Sequence, residues 1–236
     1  MKKIVILTGA CGNFGSFISK QLIKNKEIIP VLITSKKIKK KNYHQIDIKK
    51  KESIVKIFLY IRKKYGEPDV LINNAAVNTL KGFNDFVKNS RDERIVDTYI
   101  VNSISSLLFI KYFLKKNKKG KEKKIINMLT RHAIWGNKRH VEYYSSKASL
   151  YNATKTLSKD YPKELFANLM LGQIGNDKEN CNQNVIWEEI QNIIFEKISK
   201  NYKEIYFETF NQFIKITLCD FMNYFRDIKI IKPNKK

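Results

Sequence analysis

The sequence predicts an α/β fold, a doubly wound parallel sheet in a single domain. Three observations predict it. Short apolar, β-rich runs alternate with helix-period segments from residue 3 to about residue 171. The first of these runs ends in a glycine-rich turn that opens a helix. No Ser/Gly/Pro-rich linker and no internal repeat divides the chain. Alternation of this kind points to βαβ units with both faces of the sheet covered.

Lys3 to Leu7 is short, apolar and followed by glycines, so it reads as a buried strand. Phe14 to Lys24 carries apolar residues at Phe14, Phe17, Ile18 and Leu22, a helical spacing. Ile28 to Ile33 and Tyr43 to Ile48 read as the second and third strands. Ser53 to Tyr65, apolar at Ile54, Ile57, Phe58 and Ile61, reads as a helix. Asp69 to Ile72 is the fourth strand, and Asp92 to Leu114 is one long apolar helix. Lys124 to Met128 is a fifth strand, Tyr143 to Asp160 a helix, and Phe166 to Leu171 a sixth strand. Asn176 to Asn184 is polar and reads as mobile. Helices are expected over Asn184 to Lys200 and Tyr206 to Phe225, with a last strand at Ile228 to Ile231. Residues 172 to 227 are expected to serve as a variable substrate-lid region.

The chain has 236 residues and a formal net charge of +24. The length suffices for a sizeable core, and the 43% hydrophobic content excludes a disordered polyelectrolyte. No apolar run reaches the roughly 18 residues needed to span a bilayer. The first apolar run is too short for a secretory signal, and no cleavage site follows it. The charge comes from 40 Lys against 6 Arg, beside 33 Ile and 23 Asn. That skew is what A/T-rich codons produce. The Lys runs Lys36 to Lys41, Lys49 to Lys51 and Lys115 to Lys124 lack interleaved aromatics and Arg forks, so they read as solvated surface rather than a nucleic-acid groove. Cys11, Cys181 and Cys219 have neither disulfide nor zinc spacing. A reducing, cytoplasmic setting is the expectation, with no metal, membrane or nucleic-acid partner.

The motif Thr8 to Gly15, TGACGNFG, lies between a strand and a helix. Such a turn lets the backbone approach a pyrophosphate while a helix N-terminus presents N–H donors. Asn73-Asn74-Ala75-Ala76 ends the fourth strand, VNS places Asn102 in the long helix, and YYSSK runs from Tyr143 to Lys147. Residues i and i+4 share a helix face, so this phenol and ammonium can meet one ligand.

In their joint order and spacing these motifs resemble the short-chain dehydrogenase/reductase family, over roughly residues 1 to 175. The family's fingerprint is TGxxxGxG. Thr8, Gly9 and Gly15 fit it, Asn13 takes the middle glycine's place, and Gly12 lies one residue earlier. Asn tolerates positive φ better than other non-glycine residues, so the turn is expected to survive. The resemblance implies a Rossmann fold and an NAD(P)(H)-dependent oxidoreductase interconverting carbonyl and alcohol. The cofactor would lie on Gly9, Cys11, Gly12, Asn13, Phe14 and Gly15, against Asp47 and Ile48, and over Asn74, Ala75 and Ala76. Tyr143 would be the general acid or base. Lys147 would favour its phenolate and hold the ribose. Thr130, thirteen residues before Tyr143, would orient the carbonyl in place of the family's Ser. Asn102 would hold a water linking Lys147 to solvent.

The second strand ends Thr34-Ser35-Lys36-Lys37, without a carboxylate for a ribose 2′-hydroxyl. Ser35 and Lys36 therefore suit a 2′-phosphate, and NADP(H) is expected over NAD(H). After Thr130, the segment Arg131 to His140 holds two of the six Arg and two of the three His. Arg131, His132, Trp135 and Arg139 are candidates for an anionic substrate. The family's usual helix contacts imply a homodimer or homotetramer. The departures are the irregular fingerprint, Leu171-Gly172 in place of the PG that usually follows the sixth strand, and the tail. They leave open a non-catalytic nucleotide-binding regulator or scaffold of the same fold.

Overall fold

The computed structural model describes residues 2–78, 92–115, 121–136, 140–172 and 182–207. Seven parallel strands form one sheet in the order β3-β2-β1-β4-β5-β6-β7. They are β1 (Lys3–Thr8), β2 (Ile28–Thr34), β3 (Tyr43–Gln45), β4 (Val70–Asn73), β5 (Lys124–Leu129), β6 (Leu165–Met170) and β7 (Tyr202–Tyr206). The helices are α1 (Asn13–Lys24), α2 (Lys51–Lys64), α3 (Asp92–Tyr99), α4 (Ser105–Leu114), α5 (His132–Trp135), α6 (Val141–Asp160) and α7 (Gln183–Phe195), with a π-helical segment at Ile100–Ile104 between α3 and α4. This is the doubly wound sheet expected.

Alternating side chains feed two cores. Val5 and Leu7 of β1 join Phe14, Ile18 and Leu22 of α1 and Ile186, Ile190 and Ile194 of α7. Ile4 and Ile6 join Ile54, Ile57, Phe58 and Ile61 of α2, Phe109 and Phe113 of α4, and Leu150 of α6. Such two-sided burial explains why the strands read as continuous apolar runs rather than as alternating ones. The strand order reverses at β1 and β4, opening a crevice at their C-terminal ends.

Five local expectations are corrected. The third strand stops at Gln45 rather than at Ile48. The long helix from Asp92 is interrupted by the π segment, which accommodates the buried Asn102. The helix expected to reach Lys200 ends at Phe195. Tyr206 ends strand β7 rather than beginning a helix, and Tyr202–Tyr206 adds a strand beyond those expected. Its sequence, YKEIY, is half-buried throughout and carries no apolar run. The remainder of Tyr206 to Phe225, and Ile228 to Ile231, lie outside the described residues. Within 172 to 227, α7 packs on the sheet and β7 extends it.

The fifth correction concerns charge. Lys123 and Lys124, read as solvated, are buried at the foot of the sheet. Lys123 Nζ donates to the Phe113 carbonyl at 2.7 Å near the end of α4 and lies 3.2 Å from Glu67. Lys124 Nζ donates to the Ile194 carbonyl at 3.1 Å near the end of α7, and to the Glu196 carbonyl. Cations suit the unpaired carbonyls and negative dipole ends of helices. Burial pushes both ammonium groups below their ordinary pKa. Among the described residues, no helix is long and apolar enough to cross a membrane.

Candidate active site

The turn after β1 is built by close backbone approach. Gly9 has φ +67°, and a Cβ there would lie 2.7 Å from Ala75 Cα. A Cβ on Gly15 would lie 2.0 Å from the Gly9 carbonyl oxygen, so α1 can pack on the turn only through glycine. Asn74 ties β4 to this turn. Its Nδ2 donates to the Thr8 and Gly9 carbonyls at 3.1 and 3.2 Å, while Thr8 Oγ1 accepts from the Asn74 and Ala75 amides at 3.0 Å each. Asn13 does not adopt positive φ; in this turn only Gly9 does. The displaced glycine is tolerated because position 13 is an ordinary first helical residue, not because Asn adopts the left-handed region.

A cleft of about 550 Å³ opens here. Gly9, Cys11, Gly12, Asn13, Phe14, Gly15, Ser35, Lys36, Asp47, Ile48, Asn74, Ala75 and Ala76 all line it. Thus every candidate cofactor residue outside α6 faces one space. Sequence reasoning missed Ile33, Thr34, Lys49, Val77, Asp97 and Val101, which also line it. Lys49 Nζ lies 3.3 Å from Asp97. A dinucleotide fits the chemistry of this cleft. Gly12, the exposed N-cap of α1, supplies no side-chain cap, so the first-turn N–H groups are free of side-chain competition for an anion. A Cβ on Gly12 would meet only the Gly9 carbonyl oxygen, at 3.4 Å. Ser35 and Lys36 are exposed at the end of β2, and the Asp47 carboxylate accepts from the Lys49 amide at 3.0 Å.

The four candidate catalytic residues do not line that cleft. Asn102 Oδ1 accepts from the Val77 amide at 2.8 Å, and its Nδ2 donates to the Val77 carbonyl at 3.0 Å and to Ser146 Oγ at 3.0 Å. Ser146 in turn donates to the Tyr143 carbonyl at 2.8 Å. Asn102 thereby joins the segment following Ala76 to the turn of α6 that carries Tyr143 and Lys147. Ser146 was missed; its only signal is its place within YYSSK. Thr130 is buried just beyond β5, and its carbonyl accepts from the Ala133 amide at 2.9 Å, starting α5.

Lys147 is buried and donates to the Met128 carbonyl at 2.8 Å. Its Nζ lies 5.8 Å from the Tyr143 ring centre. Among the described residues, no hydrogen bond joins Tyr143 to Lys147 or to Thr130. Burial, with Tyr144 a smaller influence, pushes the Tyr143 phenol up to about 12. Burial brings the Lys147 ammonium down to about 8. The lowering of the phenol expected from Lys147 is therefore not produced by the protein alone.

Arg131 precedes α5, which carries His132 and Trp135; Arg139 lies outside the described residues. The His132 ring packs on Tyr144 with centroids 5.0 Å apart. His140, at φ 55°, approaches Tyr144 from another side at 5.8 Å. Tyr144 in turn packs against the Tyr143 ring with centroids 5.7 Å apart, so His132 and His140 stand one ring away from the candidate acid. Cys11 is a free, partly exposed thiol; Cys181 and Cys219 are outside the described residues.

A sequence profile described as short chain dehydrogenase matches residues 3–170. An NAD-dependent glycerol dehydrogenase of Listeria innocua is 28% identical over 169 residues, 67% of this chain and 65% of that protein. A diacetyl reductase [(S)-acetoin forming] of Staphylococcus epidermidis is 26% identical over 179 residues, 68% of this chain and 66% of that protein. The chain thus spans just under two thirds of these relatives' length. The structure of an alcohol dehydrogenase from the archaeon Thermococcus sibiricus, complexed with 5-hydroxy-NADP, superposes with a TM-score of 0.76 at 17% identity, covering 89% of this chain and 97% of that one. A 4-hydroxyisoleucine dehydrogenase complexed with NADH gives 0.75 at 16% identity, covering 89% and 99%. At these identities the structural likeness is one of fold.

Proposed function

Because the chain belongs to the short-chain dehydrogenase family, we propose that it is an NAD(P)(H)-dependent oxidoreductase interconverting a carbonyl and an alcohol. The observation that carries this reading is one helix bearing Tyr143 and a buried Lys147, beside a cleft with bare glycines and an uncapped helix N-terminus. When bound, the nicotinamide would supply or accept the hydride. Tyr143 would give its proton to the developing alkoxide in reduction and take one back in oxidation. A phenol pushed up to about 12 holds its proton at neutral pH, as a donor must. Its use as a base needs added positive charge nearby, which Lys147 and an oxidised nicotinamide would supply. Thr130 would hold the carbonyl oxygen through its hydroxyl, with χ1 stiffened by the β-methyl. Asn102 would keep the Tyr143–Lys147 turn in place through Ser146.

We favour NADP(H), because Ser35 and Lys36 stand at the end of β2 where no carboxylate does. An anionic substrate is favoured by Arg131, His132, Trp135 and Arg139. A cytoplasmic homodimer or homotetramer, with residues 1–236 acting as one domain, completes the reading. The test is a fluorescence titration with NADPH and NADH, followed by a reductase screen pairing carboxylate-bearing with neutral ketones. Tighter NADPH binding and faster turnover of the anionic series are expected. Absence of binding to either dinucleotide would overturn the reading. Equal loss on both series in Arg131→Ala would remove the anionic substrate from it.

A further inference from the structure

A row of polar side chains crosses the middle of the sheet. Asn73 of β4, Asn127 of β5, Asn168 of β6 and Glu204 of β7 stand in register. Asn73 Nδ2 donates to Asn127 Oδ1 at 2.9 Å, and Asn127 Nδ2 donates to Asn168 Oδ1 at 3.2 Å. Asn168 Nδ2 donates to the Tyr202 hydroxyl at 3.0 Å, which donates to Glu204 Oε1 at 2.6 Å. All four bonds run the same way. A flipped amide has nearly the same shape, so something must choose the direction. The carboxylate does, because an ionised Glu204 only accepts. Tyr202 must donate to it and therefore accept from Asn168. The same constraint passes to Asn127 and then to Asn73; the Asn73 Oδ1 is buried without a partner among the described residues.

The same carboxylate fastens α6. Tyr151 donates to Glu204 Oε1 at 3.0 Å, and Lys155 lies 3.2 Å from that oxygen while donating to the Tyr151 hydroxyl at 2.7 Å. Thr154, between them, accepts from Asn127 Nδ2 at 3.0 Å. Tyr206 donates to Oε2 at 3.0 Å from β7 itself. Burial would raise the Glu204 pKa, but the bonds from Tyr202, Tyr151, Lys155 and Tyr206 hold it below the ordinary carboxylate range. Burial, then the bond to Glu204, pushes the Tyr202 phenol up, keeping it a donor.

Tyr151 lies one helical turn beyond Lys147 and two beyond Tyr143 on the same face of α6. A helix slides and rotates as a rod, so what holds Tyr151, Thr154 and Lys155 also holds Tyr143 and Lys147. We propose that Glu204 is a positioning residue: from the edge strand, it sets the register of α6 on the sheet and so the placement of Tyr143 and Lys147. The proposal rests on the reading of those two as the reacting pair.

The test compares Glu204→Gln, Tyr151→Phe and Tyr206→Phe in the full chain. The last two each remove one hydroxyl from the same carboxylate, but only Tyr151 stands on α6. Hydrogen exchange is followed over residues 141–155 and over α1, and NADPH oxidation with the fastest carbonyl of the screen gives kcat and the cofactor KM. Glu204→Gln and Tyr151→Phe are expected to speed exchange in α6 about tenfold or more relative to α1. Where the wild type turns over, both variants should also lower kcat about tenfold with the cofactor KM nearly unchanged. Tyr206→Phe should do neither. Exchange that rises equally in α1 and α6, equal effects of Tyr151→Phe and Tyr206→Phe, or an unchanged kcat would overturn the proposal. Should the wild type reduce no carbonyl, the catalytic reading fails, and exchange alone decides whether Glu204 holds α6.

Discussion

The Lys147 ammonium donates to the Met128 carbonyl at 2.8 Å, two residues before Thr130, rather than to the Tyr143 hydroxyl. It sits 5.8 Å from the Tyr143 ring centre and is not bonded to the hydroxyl. Among the described residues, a single backbone oxygen thus holds this cation in the interior. Its burial is what brings its pKa down to about 8.

That depression has a sign that can be measured. Below pH 8, Lys147 is charged in both states, and burying the charge opposes folding in full. Between pH 8 and 10.5 the folded protein releases the proton while the unfolded chain keeps it, so stability rises with pH. Denaturant unfolding of wild type and Lys147→Met should diverge across this window. The wild type should gain about 3 kcal/mol relative to the variant. Parallel curves would show that the ammonium is not desolvated.

The glycines of the turn should separate fold from binding. In Gly15→Ala the new methyl would lie 2.0 Å from the Gly9 carbonyl oxygen and 2.8 Å from Asn74 Nδ2, so the turn must move. We expect a loss of roughly 3 kcal/mol or more, together with loss of dinucleotide binding. In Gly12→Ala the contact is 3.4 Å, on the open cleft. The melting temperature should stay within about 3 °C while NADPH affinity falls about tenfold. Thermal melts and fluorescence titrations read both outcomes.

Asn102 makes three hydrogen bonds in the π segment, two to Val77 and one to Ser146. Asn102→Ala should cost about 2–4 kcal/mol, because the buried Ser146 hydroxyl and the Val77 backbone lose their mate. Ser146→Ala removes one bond between α6 and Asn102 and should cost about 1 kcal/mol. Urea unfolding tests the ranking; equal costs would mean that the bonds to Val77 contribute nothing net.

Lys123→Met keeps most of the side chain's apolar stem but strands the Phe113 carbonyl and one oxygen of Glu67. A loss of about 2–4 kcal/mol is expected. Exposed Lys36→Met should change stability by no more than about 0.5 kcal/mol. Similar losses from the two would mean that the buried ammonium at the foot of the sheet does not hold α4.

Much of this was legible in the linear chain. Doubly buried strands are short and largely apolar, so five of the seven strands announced themselves in that way, and β3, the half-exposed YHQ, was anticipated without it. The turn at Gly9 to Gly15 was legible because its geometry depends on local spacing, whereas Asn74, Asn102 and the Tyr143–Lys147 pair stood out only through a joint order that resembles the family's. Strand β7 was not, because YKEIY carries no apolar run and is a strand through its backbone pairing with β6. Lys123 and Lys124 were misread for a related reason. A Lys run looks the same whether it meets water or the carbonyl ends of two helices.

By itself, then, the sequence determined the alternation of strand and helix, the parallel sheet, and the order of the cleft residues, since period and turn chemistry act over a few neighbouring residues. Which polar groups find partners inside follows from how distant segments pack. Lys147 meets Met128, Asn102 meets Val77, and Glu204 meets Tyr151 across gaps of 19, 25 and 53 residues. Pairings over such distances exist only once packing has brought the segments together and shielded them, wholly or in part, from water.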